Sequence, residues 1–173
     1  MAVLNIHTRR VPGTAAEAGA LLDSLAGEDD RLWPSHRWPP MRFDRPLGVG
    51  AVGGHGPVRY TVEDYQPGQR IRFRFTGPRG FDGFHEFTVR PAGGDSVELE
   101  HLLVMRLRGS ARLTWPFGFR WLHDACLEDC FDSAEQALSG SVRRPARWSL
   151  PVRALRALTG SAERPKTLVE SRG

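Results

Sequence analysis

No stretch of this chain approaches the ~18–20 consecutive apolar residues that cross a bilayer as a helix, so no integral membrane segment is expected. The first residues, Met1-Ala2-Val3-Leu4-Asn5-Ile6-His7, lack the charged region and apolar stretch of a secretory signal, and a cytoplasmic location is the expectation. Lysine is almost missing: Lys166 is the single lysine among 24 basic residues. Arginine in its place reads as the coding bias of a GC-rich genome, not as selection for phosphate. Cysteine is limited to Cys126 and Cys130. Four apart in a helical pattern, they point the same way from one rigid helix, a poor arrangement for a mutual disulfide; two reduced, packed thiols in a reducing compartment are expected. There is no Gly-x-Ser-x-Gly elbow and hence no hydrolase signature. No set of His and Cys has a recognised metal-ligand spacing, so no metal and no cofactor are expected.

At 173 residues the chain has the length of one domain. Its formal charge of +4 and pI near 9.8 raise the question of nucleic acid, and the location of the charge answers it. Residues 140–173 carry eight cations against two glutamates, which leaves 16 basic and 18 acidic residues in the rest of the chain. The main body is slightly acidic, and no nucleic-acid partner is expected for it. Two units follow: a domain over 1–140, and a basic, partly disordered tail over 141–173. Within the tail, Trp148 to Leu158 reads as a short amphipathic helix, loosely docked or frayed, with a membrane-surface or partner contact as the alternative.

Ala2 to Arg10 alternates as a first strand. Thr14-Ala15-Ala16-Glu17 has capping-box spacing, and the spacing predicts a helix to about Leu25 with Gly27 as its stop. Over 28–46, Pro34, Pro39 and Pro40 exclude regular helix, while Trp33, Trp38, Met41 and Phe43 are too apolar for a free linker. An ordered loop that packs its aromatics over the core is expected, either covering a cavity mouth or acting as a structural plug. Gly48-Val49-Gly50-Ala51-Val52-Gly53 matches the dinucleotide glycine pattern but has no strand before it and a strand-like segment after it; a bulge or close backbone approach is expected instead. Val58 to Glu63 and Ile71 to Phe75 alternate around the turn Gln66-Pro67-Gly68-Gln69. That register sets Val62 against Phe73 inside and Glu63 against Arg72 outside. Ala111 to Thr114 reads as the start of a further strand. Trp115-Pro116 opens a helix of about 20 residues, with Phe119, Leu122, Cys126, Leu127 and Cys130 on its apolar face and Gly140 as its end.

The row Val97 to Leu107 places Val, Leu, His, Leu, Met and Leu at alternate positions, an apolar stripe with one imidazole, His101, set into it. Upstream, His85, Phe87 and Val89 share one face of a shorter strand, and the turn at 91–96 lets His85 meet His101 across the strands. Two histidines on the apolar side of a sheet suggest a greasy interior with a polar spot, as in small-molecule sites. Three chemistries are open to them. They are hydrogen-bonding or satisfied core histidines, or a general acid/base pair acting on a bound carbonyl or enol, or ligands of a metal with His123 or a cysteine. Cys126 sits among apolar neighbours, which favours packing over nucleophilic chemistry. Ser35-His36 and His123-Asp124 are neighbours in sequence that need not point at each other.

Strand, helix, antiparallel meander and long C-terminal helix, over roughly residues 2–139, resemble the helix-grip fold of the SRPBCC superfamily (START, Bet v 1-like and polyketide cyclase/dehydrase-like proteins). Val58 to Tyr65 followed by Pro67-Gly68-Gln69-Arg70 and Ile71-Arg72-Phe73 carry the resemblance, with the helix Trp115 to Leu138. Gly54-His55-Gly56-Pro57-Val58-Arg59-Tyr60 is similar to a segment of actinobacterial members. The resemblance implies an α+β fold, a curved antiparallel sheet wrapped around the C-terminal helix with an apolar cavity between them. On the parities above, the ligand-binding wall would be Tyr60, Phe73, Phe75, His85, Phe87, His101, Leu103, Met105, Phe119, Leu122 and Cys126, with His123 and His55 as further polar candidates. Binding of a small hydrophobic molecule, aromatic or polyketide-like, is the function this implies. A cyclase or dehydratase using His85 and His101 as catalytic residues, and an interaction module with a filled centre, are the alternatives. A homodimer is left open.

Overall fold

The computed structural model describes residues 1–160. Strand β1 (Ala2–Pro12) leads into helix α1 (Ala15–Asp23). Two short strands follow, β2 (Arg42–Phe43) and β3 (Val52–His55), then four longer ones: β4 (Val58–Gln66), β5 (Arg70–Gly77), β6 (Phe81–Pro91) and β7 (Ser96–Leu107). They form one antiparallel sheet in the order β1-β7-β6-β5-β4-β3-β2. The chain closes with α2 (Ala111–Thr114), a π-helical turn (Trp115–Phe119), α3 (Arg120–Ser139) and α4 (Leu150–Gly160). The α+β class and the curved antiparallel sheet with its long C-terminal helix are as expected. Among the described residues no helix is long and apolar enough to cross a membrane.

The Thr14/Glu17 capping box forms in both directions and starts α1. Its end differs from expectation. The helix stops at Asp23 with Ser24 as C-cap, and Ala26, not Gly27, takes the left-handed conformation at φ 61°. Asp30 makes this tolerable by accepting from the backbone N–H groups of Ala26, Leu32 and Trp33 at 2.8–2.9 Å. The segment that follows is an ordered loop: Trp33, Trp38 and Met41 are buried, and the Trp33 indole donates to the Pro39 carbonyl at 2.9 Å. In β3, a Cβ on Gly53 would lie 2.0 Å from the Arg42 carbonyl oxygen, so the glycine-rich run serves a close backbone approach between β2 and β3.

The β4–β5 hairpin turns at Pro67-Gly68, and Val62 faces Phe73 as the register predicts. Glu63 does not face Arg72. A bulge between Val62 and Asp64 leaves Glu63 unpaired in the ladder and sets Asp64 opposite Arg72. The Glu63 carboxylate instead takes Arg74 at 2.9 Å, and Arg72 pairs with Glu86 on β6 at 2.7 Å. Ala111 to Thr114 is helix, not strand. After β7 the chain turns at Gly109, φ 53°, and Ala, Arg and Leu then continue as good helix formers into the long helix. Pro116 brings no N–H to the ladder, which widens to a π turn closed by Arg120 N–H on the Trp115 carbonyl. Gly140 ends α3 in the left-handed conformation, φ 74°.

Among the described residues beyond Gly140, the segment up to α4 packs back onto the body. Trp148 packs at a tilt against Trp38 with ring centres 5.3 Å apart, and Val152 of α4 is buried. The polar end of the tail, with Arg164, Lys166 and Arg172, falls at 161–173, outside the described residues.

Candidate functional site

Between the sheet and the long helix lies a cavity of about 590 Å3, well within the size range of small-molecule sites. The sheet contributes Phe75, Phe81, His85, Phe87, His101 and Leu103, and the long helix contributes residues from Leu113 through Leu127. Trp33, Trp38 and Pro39 of the ordered loop, His55 to Val58 at the β3–β4 turn, and Arg156 of α4 complete the wall. Leu113 and Phe117 are 66% and 69% exposed while also lining the cavity, which places its mouth at α2 and the π turn.

Eight of the eleven sequence-predicted site residues reach this wall: Phe75, His85, Phe87, His101, Leu103, Phe119, Leu122 and Cys126. Tyr60, Phe73 and Met105 do not. Tyr60 and Phe73 are fully buried and capped by Phe43 of β2, whose ring centre lies 5.8 and 5.9 Å from theirs. The Tyr60 hydroxyl is 3.2 Å from His55 Nδ1, and it is His55 that faces the cavity. Met105 is buried with Leu107 and Ala111 behind Phe81, Leu103 and Trp115, which are the members of that cluster that face the cavity. Alternation gives the face of a strand but not where along it the sheet and the helix part. Trp115 and Phe117 line the cavity without having been expected there; the aromatic density of Trp115-Pro116-Phe117-Gly118-Phe119 was the available signal.

The polar part of the wall is four imidazoles, of His55, His85, His101 and His123, with the Arg156 guanidinium at its edge held by the Arg37 carbonyl at 2.9 Å. His85 and His101 meet, though diagonally, since His85 is paired with Leu103 and His101 with Phe87. His85 Nδ1 lies 3.1 Å from His101 Nε2, and the His101 ring centre is 5.1 Å from that of His123. Burial drives the His85 and His101 rings well below the ordinary histidine value, with the charge of His123 adding to the effect. Burial also lowers His123, against the opposing hydrogen bond to Asp124, and holds His55 down at about 3. All four are therefore neutral near pH 7. His85 Nε2, His101 Nδ1 and His123 Nε2 are buried and have no hydrogen-bonding partner in the protein, a condition that costs ~1–3 kcal/mol per group.

Behind His123 runs a charged seam between β1 and α3. Asp124 Oδ1 accepts from His123 Nδ1 at 3.3 Å, from His7 Nε2 at 3.1 Å and from Asn5 Nδ2 at 3.1 Å. The other His7 nitrogen donates to Glu128 at 3.1 Å, and Arg9 bridges Glu128 and Asp132. Hydrogen bonds to Asp124, then to Glu128, raise His7 to about 9. Burial pushes the Asp124 carboxyl up, but the bonds from His123 and His7 outweigh it and leave the group well below the usual carboxylate range. His7, His123 and Asp124 have ligating atoms within 4.8 Å of one another, close enough for a metal ion. Both nitrogens of His7 are already committed to carboxylates, so the cluster satisfies itself as an ion-paired seam. Cys126 and Cys130 are buried free thiols, and burial raises Cys130 well above the ordinary value, the opposite of an activated nucleophile.

No protein-family model matches the chain, and no curated protein matches it by sequence. Solved structures do match by shape. CalU16 from Micromonospora echinospora aligns with a TM-score of 0.57 at 16% identity over 93% of this chain and 86% of that one. Truncated norcoclaurine synthase from Thalictrum flavum aligns with a TM-score of 0.61 at 13% identity, covering 80% and 95%; a second structure of that enzyme holds dopamine and hydroxybenzaldehyde. The di-domain ARO/CYC StfQ of the steffimycin biosynthetic pathway aligns with a TM-score of 0.59 at 14% identity over 81% of this chain, which spans about half of StfQ (51%). A curved sheet gripping one long C-terminal helix, shared with these proteins over 80–93% of this chain, makes this a helix-grip fold.

Proposed function

We propose that the protein binds a small, uncharged, largely aromatic molecule in the cavity between the sheet and α3. The observation that carries this reading is the set of unpartnered imidazole nitrogens of His85, His101 and His123 on a wall made mostly of aromatic and aliphatic groups, where the Arg156 guanidinium is engaged by the Arg37 carbonyl and the Trp38 ring. Apolar contact alone is not enough. A two-ring aromatic burying ~250 Å2 gains on the order of 6 kcal/mol at ~25 cal/mol per Å2. Association consumes ~4 kcal/mol or more of that, so burial by itself leaves binding at or weaker than millimolar. Hydrogen bonds to the imidazoles must supply the rest, and because those rings are neutral they favour a neutral hydroxyl or carbonyl over a charged head. Of the two compounds held by norcoclaurine synthase in the same fold, hydroxybenzaldehyde is of this chemical kind, while dopamine shares the phenolic ring but carries an amine.

Native mass spectrometry of the purified protein, searched for a co-purified small molecule, and calorimetry with 2-naphthol and 2-naphthoate test the reading. The expected result is saturable binding of 2-naphthol, at least tenfold weaker binding of the carboxylate, and loss of binding in Leu122→Trp, which fills the cavity from α3. The double change His85→Phe with His101→Phe is expected to weaken 2-naphthol and leave the fold intact. Equal affinity of 2-naphthol for Leu122→Trp and the wild type would place the ligand elsewhere and end the proposal.

A further inference from the structure

We infer that the cavity wall holds an acid–base pair, with His123 as proton acceptor, Asp124 as the residue that fixes its tautomer and His85 as the donor, and that the protein catalyses proton exchange at the carbon next to the carbonyl of a bound aromatic ketone. This rests on the cavity being a ligand site; it adds chemistry that simple binding does not need.

The tautomer of His123 follows from what surrounds it. Asp124 Oδ1 faces three nitrogens, on His123, His7 and Asn5. An ionised carboxylate only accepts, so each of those nitrogens carries a hydrogen toward it. The His123 proton therefore sits on Nδ1, and in the neutral ring the lone pair is on Nε2. That atom is buried, has no partner in the protein, and belongs to a residue of the cavity wall. The cation of His7 stands behind Asp124, its ring centre 6.0 Å from that of His123. It keeps the carboxylate ionised, so Asp124 orients His123 and stabilises the imidazolium that forms when Nε2 takes a proton, without taking the proton itself.

The donor comes from the other two rings. His85 and His101 share one hydrogen between Nδ1 and Nε2. When His101 donates it, the remaining hydrogen of His85 is on Nε2, which is likewise buried, unpartnered and on the wall. In that arrangement one base and one donor line the same largely aromatic space.

The step balances within these residues. His123 Nε2 takes a proton from the carbon next to the ketone. The C–H electron pair becomes the carbon–carbon double bond, and the carbonyl π pair moves to oxygen, which takes the hydrogen of His85 Nε2. This leaves His85 an imidazolate, held by the His101 hydrogen on its Nδ1 and balanced by the His123 imidazolium. Reversal returns a proton from His123 to carbon and the hydrogen from oxygen to His85. In deuterated water the net change is exchange of the carbon-bound hydrogen, with nothing oxidised or reduced.

The test uses the full chain with 2-tetralone in deuterated water. Proton NMR follows loss of the hydrogens next to the carbonyl, titration of the same samples gives affinity, and nitrogen-15 spectra of labelled histidine give the tautomers. The expected result is exchange at least ~10²-fold above a matched imidazole buffer, in line with general acid–base assistance. His123→Gln is expected to lose most of it, and Asp124→Asn, which keeps the His123 ring on the wall, about tenfold with affinity changed less than threefold. The wild type should show His123 protonated on Nδ1, and Asp124→Asn should mix the tautomers. Bound 2-tetralone that does not exchange above buffer overturns the catalytic inference and leaves the binding site standing. Failure of 2-tetralone to bind overturns both. A His123 ring protonated on Nε2 in the wild type, a readout that needs no variant to fold, overturns the roles of His123 and Asp124.

Discussion

The buried carboxylate of Asp129 lies 2.7 Å from the indole nitrogen of Trp38, 91 residues earlier in the chain. The same carboxylate takes Arg37 at 2.6 Å and the Trp148 indole at 2.9 Å. One side chain of α3 therefore ties down both the aromatic loop that covers the cavity and the segment that follows Gly140. Removing it strands two indole N–H groups and a guanidinium. Asp129→Ala is expected to cost about 3 kcal/mol, the scale of breaking a buried charged pair, and Asp129→Asn less, since one acceptor survives. Urea denaturation measures this; a midpoint within error of the wild type would mean that the loop and tail hold without Asp129.

What the sequence disclosed here, and what it withheld, divides along a physical line. Patterns repeated over many residues were legible: the β4–β5 hairpin, the Thr14/Glu17 cap, the helix ending at Gly140 and the shared face of His85 and His101 all rest on period or on local hydrogen-bond chemistry. Single-residue events were not. The bulge at Glu63 leaves no trace in alternation, because either register pairs its charge with an arginine. Ala111 to Thr114 is too short to distinguish a helical turn from a strand. Tyr60, Phe73 and Met105 lie on the correct face but away from the gap, a matter of sheet curvature. The contact between His123 and Asp124 depends on rotamers, and the charged seam with His7 needs β1 laid beside α3, which no local signal encodes.

Gly19 on α1 sits against the β4–β5 turn: a Cβ there would be 2.5 Å from the Gly68 carbonyl oxygen and 2.7 Å from Gly68 Cα. Helix propensity alone favours alanine over glycine by ~1 kcal/mol. The clash opposes it, and both obstacles are backbone, further held by Asp23 accepting from the Gly68 N–H at 2.8 Å. Overpacking of this kind costs ~1–3 kcal/mol. Gly19→Ala is therefore expected to destabilise the protein despite the better helix former, and a raised melting temperature would show that α1 can slide off the turn.

His7 gives the stability curve an alkaline limb. Its folded value is raised from 6.5 to about 9 by Asp124 and Glu128, so the native state holds its proton more tightly than the unfolded chain does. The stabilisation is complete below pH 6.5 and fades as pH rises through 9. Thermal unfolding across that window is expected to show the wild type losing stability while His7→Gln, weaker at the acid end, stays flat, the two converging above pH 9. Parallel curves for the two proteins would remove His7 from the seam.

The buried rings of His85 and His101 set the acid limb with the opposite sign. Both are held well below the ordinary value of 6.5 by burial, so as pH falls below 6.5 the unfolded chain binds protons that the native state refuses. Stability then declines with falling pH, by up to about 1.4 kcal/mol per pH unit for each such ring. His7 adds nothing in this window, being protonated in both states, and the depressed carboxylates of Asp124 and Glu128 matter only at lower pH. Replacing His85 and His101 together by phenylalanine is expected to flatten the limb between the histidine and carboxylate ranges, leaving the shallower slope of His55 and His123. Urea midpoints measured down that range decide it. An unchanged slope in the double variant would mean that these two imidazoles gain protons inside the folded protein, and the neutral wall on which ligand choice depends would be lost with it.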